Sequence, residues 1–183
     1  GPIGSGKSSA CKHLRKYGYR YINSDKLAKE MIKNNKNVRA KIFKLLGIDD
    51  SSKYIPWKRI RNFIAKSVNN KKFYDAIVHH AFYKKLNQMI NNKKYRYVIE
   101  IPLIETIQNI KQKKITICIL ANNKNRKERF IQDKYKNELQ FDKLNKLQKS
   151  REFYIKNSDY VIYNNEGMEI MTNKLLSIIN KYQ

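Results

Sequence analysis

No stretch of the chain approaches the roughly 20 consecutive apolar residues that a membrane-spanning helix needs. The longest apolar run, residues 115–121, has the length of a strand. No membrane association is expected. Cysteine is nearly absent: Cys11 and Cys118 stand alone, with no CxxC and no zinc-ligand spacing. That excludes a disulfide framework and leaves a reduced, cytoplasmic setting as the expectation. Acidic residues are few, 15 against 40 Lys and Arg in 183 residues. Such an imbalance raises the possibility of a nucleic-acid partner, because Lys and Arg contacts to phosphate supply most non-specific affinity. Here the basic residues are spread along the whole chain among Asn, Ile and Tyr, with no compact arginine stripe. Nucleic acid is therefore not expected as a partner, and attraction for small anionic substrates is what remains. There is also no internal repeat, which excludes a solenoid. With 41% hydrophobic residues the chain is expected to be globular, and a monomer.

What is present begins at the first residue. Gly1-Pro2-Ile3-Gly4-Ser5-Gly6-Lys7-Ser8 matches G-x-x-x-x-G-K-[ST] without a mismatch. Glycines let successive backbone N–H groups turn inward and cradle phosphate oxygens. Lys7 is expected to reach the β- and γ-phosphates, and Ser8 to hold Mg2+. Gly4, Ser5, Gly6, Lys7, Ser8 and Ser9 are the candidate ATP-binding residues, at a helix N-terminus whose dipole favours an anion. Such a loop normally follows a buried strand, and no initiator Met is present. A strand of about 5–8 residues is therefore expected ahead of Gly1.

Downstream, helical spacing of apolar residues predicts helices over 7–17, ended by Gly18, and over 25–32, capped by Asn23-Ser24-Asp25. Further helices are predicted over 38–46, 57–68 and 73–91. Strands are predicted at 19–22, 97–101, 115–120 and 159–163, a long charged helical stretch at 125–157, and a last amphipathic helix at 168–182. Strands alternating with helices imply a parallel sheet covered on both faces. The expected fold class is α/β, a three-layer α/β/α phosphate-loop kinase. Residues 1–33 and 93–183 would form its core and 34–92 a helical substrate-binding lobe. Residues 125–157 would act as a lid that excludes water.

Asp25 follows the second strand where the chain leaves the sheet, the end that faces the ligand crevice in parallel sheets. A carboxylate there can accept a hydroxyl proton or orient magnesium and its waters, or it can simply favour the first turn of its helix. His79 and His80 are adjacent on a helix, so their side chains diverge by about 100° and do not suit a shared metal. Glu105 lies just past the strand at 97–101 and Glu100 within it. Either acid has an ordinary surface or capping role available to it.

Taken in order, these segments resemble the dephospho-coenzyme A kinase family over nearly the whole chain. The family's G-G-I-G-S-G-K-[ST] loop is similar to residues 1–8, and its D-[AS]-D segment to Asn23-Ser24-Asp25. L-H-P corresponds to Val78-His79-His80, and D-x-P-L-L-x-E to Glu100-Ile101-Pro102-Leu103-Ile104-Glu105. E-R-L-x-x-R begins as Glu128-Arg129-Phe130, a Gln follows at Gln148, and A-D-x-V-I-x-N corresponds to residues 158–164. The resemblance implies transfer of the ATP γ-phosphoryl group to the ribose 3′-hydroxyl of dephospho-CoA, with Asp25 as catalytic base and Lys7 as its partner in catalysis. It implies substrate or lid contacts by His79, Glu105, Arg129 and Gln148. Two alternatives share the loop: another small nucleoside or nucleotide kinase, and a basic RNA-binding protein on the same fold.

The sequence departs from the family pattern at four places. Asn23 replaces the first Asp, Lys29 an Arg, His80 a Pro, and Asp133 the second lid Arg, with Lys134 beside it. The two readings of Asp25 predict different outcomes for Asp25→Asn. Asn caps a helix about as well as Asp but cannot take a proton, and loss of a general base costs about 10²–10⁴ in rate. The expected result is a near-parental melting temperature and ATP affinity, with single-turnover phosphoryl transfer reduced at least about 10². Transfer left nearly intact would make Asp25 a structural residue.

Overall fold

The apolar run near residue 117 becomes a strand because its alternating β-branched side chains find partners on both faces. This strand, β3 (Ile117–Leu120), pairs in parallel with β4 (Tyr160–Tyr163), Ile117 opposite Tyr160 and Leu120 opposite Tyr163. Pairing starts later than the sequence predicts at both strands. The Thr116 N–H donates to the Asp159 carboxylate (2.6 Å), and the Asp159 N–H to the Thr116 carbonyl (2.9 Å), which closes the ladder there. The computed structural model describes residues 1–49, 54–101, 104–133 and 137–182, residues 104–106 by their backbone alone.

Two helices cover one face of this sheet. Ile119 and Ile162 pack with Ala10 of α1 (Lys7–Leu14) and with Met171 and Leu175 of α9 (Met168–Ile179). Cys118 and Leu120 point the other way, onto Tyr154 of α8 (Arg151–Lys156). Helix, sheet and helix make three layers, as the alternation of elements implies. A second pair of strands, β1 (Tyr19–Asn23) and β2 (Arg96–Glu100), are hydrogen-bonded neighbours, and α1 packs against β2 as well. Between β2 and β3 lies a cavity of about 120 Å3 lined by Ile99, Ile101, Ile117, Ile119 and Lys7.

The stretch at 125–157 is not one long helix. It holds α6 (Asn123–Ile131), α7 (Glu138–Lys146) and α8. Side chains written into the sequence start two of these afresh. Asn137 and Gln140 form a reciprocal capping box, and the Ser150 hydroxyl accepts from the Phe153 N–H (3.2 Å). Phe141 of α7 is fully buried against Phe130 of α6, with ring centroids 5.6 Å apart.

The chain divides into two units. Residues 1–22, 95–107 and 113–183 form the first, and residues 23–94 and 108–112 the second. The second is built from α2 (Ser24–Asn34), α3 (Lys36–Leu46), α4 (Trp57–Lys66) and α5 (Val68–Ile90). Its core joins Ile32, Val38, Ile42, Phe43, Ile60 and Val78. α2 packs on α3 and α5, so it sits with the helical unit and not with residues 1–33 of the core, where the sequence reading groups it. α5 begins five residues earlier than its apolar spacing indicates, because Ser67 accepts the Asn70 N–H (3.1 Å) and caps it. Among the described residues no helix is long and apolar enough to cross a membrane.

Phe43 is completely buried at the centre of the helical unit. Phe43→Ala should lower unfolding free energy by about 3–5 kcal/mol, read from chemical denaturation. A loss below about 1 kcal/mol would show that this cluster is not a packed core.

Candidate active site

The phosphate loop leads directly into α1, whose cap residue Gly6 supplies no side chain. The first N–H groups of that helix have no intrahelical acceptors and collect at its start. Two glycines are required here for both conformation and space. Gly4 has φ 72° and a Cβ would meet the Arg126 carbonyl oxygen at 2.3 Å. Gly6 has φ 100° and a Cβ would meet Asn164 Nδ2 at 2.4 Å.

Lys7 arches back over the loop, its Nζ donating to the Pro2 carbonyl at 2.8 Å. Burial pushes its ammonium below the ordinary lysine range, and the Glu100 carboxylate opposes that shift. The Ser8 hydroxyl donates to Glu100 Oε1 at 2.5 Å, and the Tyr21 hydroxyl to Glu100 Oε2. The carboxylate at the end of β2 is thus held from both sides, by the loop and by β1. Its charge is also felt at Cys11, whose thiol is pushed up to about 12, mainly by burial and then by Glu100. Ser9 is exposed on the first turn of α1.

Arg126, Gln148 and Asn145 form a second support. Arg126 is buried, donates through Nε to the Ile3 carbonyl (2.9 Å) and through Nη2 to Asn145 Oδ1 (2.5 Å). Burial holds its guanidinium below the usual arginine range. Gln148 Oε1 accepts the Ile3 N–H at 2.8 Å. Arg129 donates through Nη2 to the Asn164 carbonyl (2.9 Å), and Asn164 Nδ2 to the Ser5 carbonyl (2.9 Å).

Of the residues predicted from sequence, Gly4, Ser5, Gly6, Lys7, Ser8, Ser9, Arg129 and Gln148 therefore lie in the first unit, in or around the loop. Asp25 and His79 belong to the second. Asp25 is exposed in the first turn of α2, whose cap is Asn23: its side chain accepts the Lys26 N–H at 2.8 Å. His79 Nε2 lies 3.6 Å from Asp75 Oδ1, and with His80 and Tyr83 it lines a cavity of about 670 Å3. The side chain of Glu105, and Pro102, Leu103 and Lys134 altogether, lie outside the described residues.

A family model described as dephospho-CoA kinase matches residues 1–169. The chain belongs to the dephospho-CoA kinase family. A dephospho-CoA kinase from Fusobacterium nucleatum is 29% identical over 96% of this chain and 92% of its own length. One from Legionella pneumophila is 23% identical over 100% of this chain and 92% of its own. In fold, the chain is similar to the crystal structure of TT1252 from Thermus thermophilus, with a TM-score of 0.82, 19% identity, and 100% of this chain and 94% of that one covered. A dephospho-CoA kinase from Campylobacter jejuni matches with a TM-score of 0.60 and 19% identity, over 98% of this chain and 94% of its own.

Around the loop, Tyr21 and Arg126 were not named from sequence, while Glu100 was noted only as a strand acid and Asn164 only as the end of a family motif. Glu100 carries a usable signal, an acid at the end of an otherwise apolar strand. Arg126 carries none, because one basic residue in a helix of Lys, Arg and Asn is indistinguishable from a solvated one.

Lys7 Nζ is held across the loop by the Pro2 carbonyl, and Lys7→Ala tests the expectation that this cation meets the transferring phosphoryl group. Turnover should fall by about 10²–10³. Activity within about twofold of the parent, with both proteins assayed at saturating ATP, would remove Lys7 from the chemistry.

Proposed function

We propose that the protein transfers the γ-phosphoryl group of ATP to the ribose 3′-hydroxyl of dephospho-CoA, in the cytoplasm. The observation that carries this reading is the hydrogen bond from Ser8 to Glu100, which sets a strand-end carboxylate beside the last residue of the phosphate loop. A chain of this family with that arrangement has an anion cradle, a cation over it and an acid at its edge. Both cysteines are free and buried, which suits a reducing compartment.

The 3′-hydroxyl oxygen attacks the γ-phosphorus in line, the bond to the bridging oxygen of ADP breaks, and the hydroxyl proton passes to Asp25. Lys7 balances charge on the β- and γ-phosphates, and the N–H groups of Gly4 to Ser9 hold the phosphate oxygens. Arg129 and Gln148 act from the lid region by bracing the strand end and the loop. His79 and Glu105 serve the acceptor. Asn23 stands where the family has a carboxylate, and its amide oxygen is occupied as a helix cap, so proton transfer falls to Asp25 alone.

Ser8 Oγ and Glu100 Oε1 are neighbouring hard oxygen donors, joined here by a hydrogen bond, and their chemistry suits Mg2+. Among the described residues no group of three His, Cys, Asp or Glu could hold a metal. Mg2+ takes few protein oxygens and leaves its other positions to phosphate and water. When bound, it neutralises charge on the phosphates.

Turnover measured with dephospho-CoA, adenosine and AMP as acceptors tests the reading. Dephospho-CoA should be used far better than the other two. A preference for adenosine or AMP would make this a nucleoside or nucleotide kinase. In the same assay Glu100→Gln should shift the magnesium concentration for half-maximal rate upward at least about tenfold. An unchanged magnesium midpoint would remove Glu100 from the metal site.

A further inference from the structure

Asn164 ends β4 at the back of the phosphate loop. It is 4% exposed, and the structure gives it three roles at once. Its backbone N–H donates to the Leu120 carbonyl at 2.7 Å, which locks it to the end of β3. Its carbonyl accepts from Arg129 Nη2 at 2.9 Å, which ties it to α6. Its side chain makes one bond, from Nδ2 to the Ser5 carbonyl at 2.9 Å, and this bond is buried. The other amide atom, Oδ1, has no partner among the described residues. A buried amide that spends its only bond on the loop is costly unless that bond matters.

The geometry of the peptide unit says what the bond does. Ser5 C=O and Gly6 N–H belong to one planar trans peptide, so they point in opposite directions. Holding the carbonyl against Asn164 therefore turns the Gly6 N–H away from it, toward the open side of the loop. The loop could relax by flipping this peptide, since Gly6 is free to take many conformations. Asn164 removes that freedom, and it also fills the space that a side chain at position 6 would need, with Nδ2 only 2.4 Å from the Cβ position.

We propose that Asn164 is a positioning residue for the phosphate cradle: it fixes the Ser5–Gly6 peptide so that the Gly6 N–H faces bound phosphate before the nucleotide arrives. It touches neither substrate nor reacting atoms. The inference rests on the loop being the nucleotide-phosphate site. Losing Asn164 leaves a buried Ser5 carbonyl without a donor and frees the peptide to turn.

Binding of inorganic tripolyphosphate isolates the cradle from base and ribose contacts, so it is the probe to use, alongside ATP, on the whole protein. Asn164→Asp keeps the shape but replaces the donor with an acceptor facing the Ser5 carbonyl. Tripolyphosphate and ATP affinities should fall together by roughly ten- to a hundredfold, the range expected when a buried hydrogen bond is lost. The KM for dephospho-CoA should stay near the parental value. A merely structural role would lower the melting temperature and leave tripolyphosphate affinity in the folded fraction unchanged, and that result would overturn the proposal. Asn164→Ser, shorter and neutral, gives the same comparison if the Asp variant does not fold. Parental tripolyphosphate affinity in either folded variant counts against Asn164. Failure of the parent itself to bind tripolyphosphate would instead bring down the phosphate-site reading, and the proposal with it.

Discussion

A loop that offers its N–H groups to an anion must first dispose of its carbonyl oxygens, because each peptide that turns a donor inward turns an acceptor outward. The rest of this site depends on meeting that requirement. Pro2, Ile3 and Ser5 each present a carbonyl with an assigned partner: Lys7 Nζ, Arg126 Nε and Asn164 Nδ2. Lys7 comes from the loop's own end, but Arg126 and Asn164 come from α6 and the end of β4, so the shape of a short glycine-rich loop depends partly on elements more than a hundred residues away. Each donor is amide or cation, and the two cations leave positive charge close to where phosphate is to sit. Lys7 is the exception among the three, because a bound polyphosphate competes with Pro2 for its ammonium group. Arg126 and Asn164 are instead buried and tied to Asn145 and Ser5.

The overall charge of +25 does not by itself build this site. Scattered surface lysines act over a screening length of about 10 Å or less and favour any anion. Selective stabilisation comes from fixed groups in partly dehydrated surroundings, where each charge is felt more strongly. Lys7 shows this in the direction of its shift: burial disfavours its charged form, and Glu100 only partly offsets that. An anion placed in the loop would raise the Lys7 pKa again, so binding phosphate and holding the proton on Lys7 support each other. The sign matters for pH dependence. Phosphate affinity should decline as pH rises through the lowered Lys7 pKa, ahead of the pH at which an exposed lysine would lose its proton.

How much of this could be read from the sequence depended on how local each determinant is. The loop was legible because all its requirements lie within eight residues, and the strands around 97–101 and 159–163 because apolar character and turn residues mark them. Asn23 as a cap was legible for the same reason. The break of 125–157 into three helices was missed although the determinants, Asn137 with Gln140 and Ser150, are written there. In a run so rich in Asn, Lys and Gln, a capping residue does not stand out from its neighbours. Arg126 and Asn164 were beyond reach as loop supports, since nothing local says that one residue's partner lies more than a hundred positions away. α2, which the sequence reading groups with residues 1–33, lies in the second unit with Leu27, Met31 and Ile32 buried, a fact about packing that periodicity shows without naming the partner.

The departures from the family pattern divide along the same line of burial. Lys29, His80 and Asp133 are exposed, and Asn23 is half-buried and used as a cap. Ser5, Arg126 and Asn164, by contrast, are buried polar residues bound to or within the loop. Exposed substitutions away from special features usually change stability by no more than about 0.5 kcal/mol, whereas a buried polar group left unpaired costs about 1–3. Composition can therefore shift toward Lys and Asn over the surface without disturbing the cradle. Position 133 is where such a shift would bear on the proposed chemistry. A lid arginine that reaches the transferring phosphoryl group is worth several orders of magnitude in rate, and an aspartate cannot supply that charge. In the proposed mechanism, either Lys134 beside Asp133 takes the arginine's part through a small register shift, or the lid contributes less and the transition state leans on Lys7, the loop amides and magnesium.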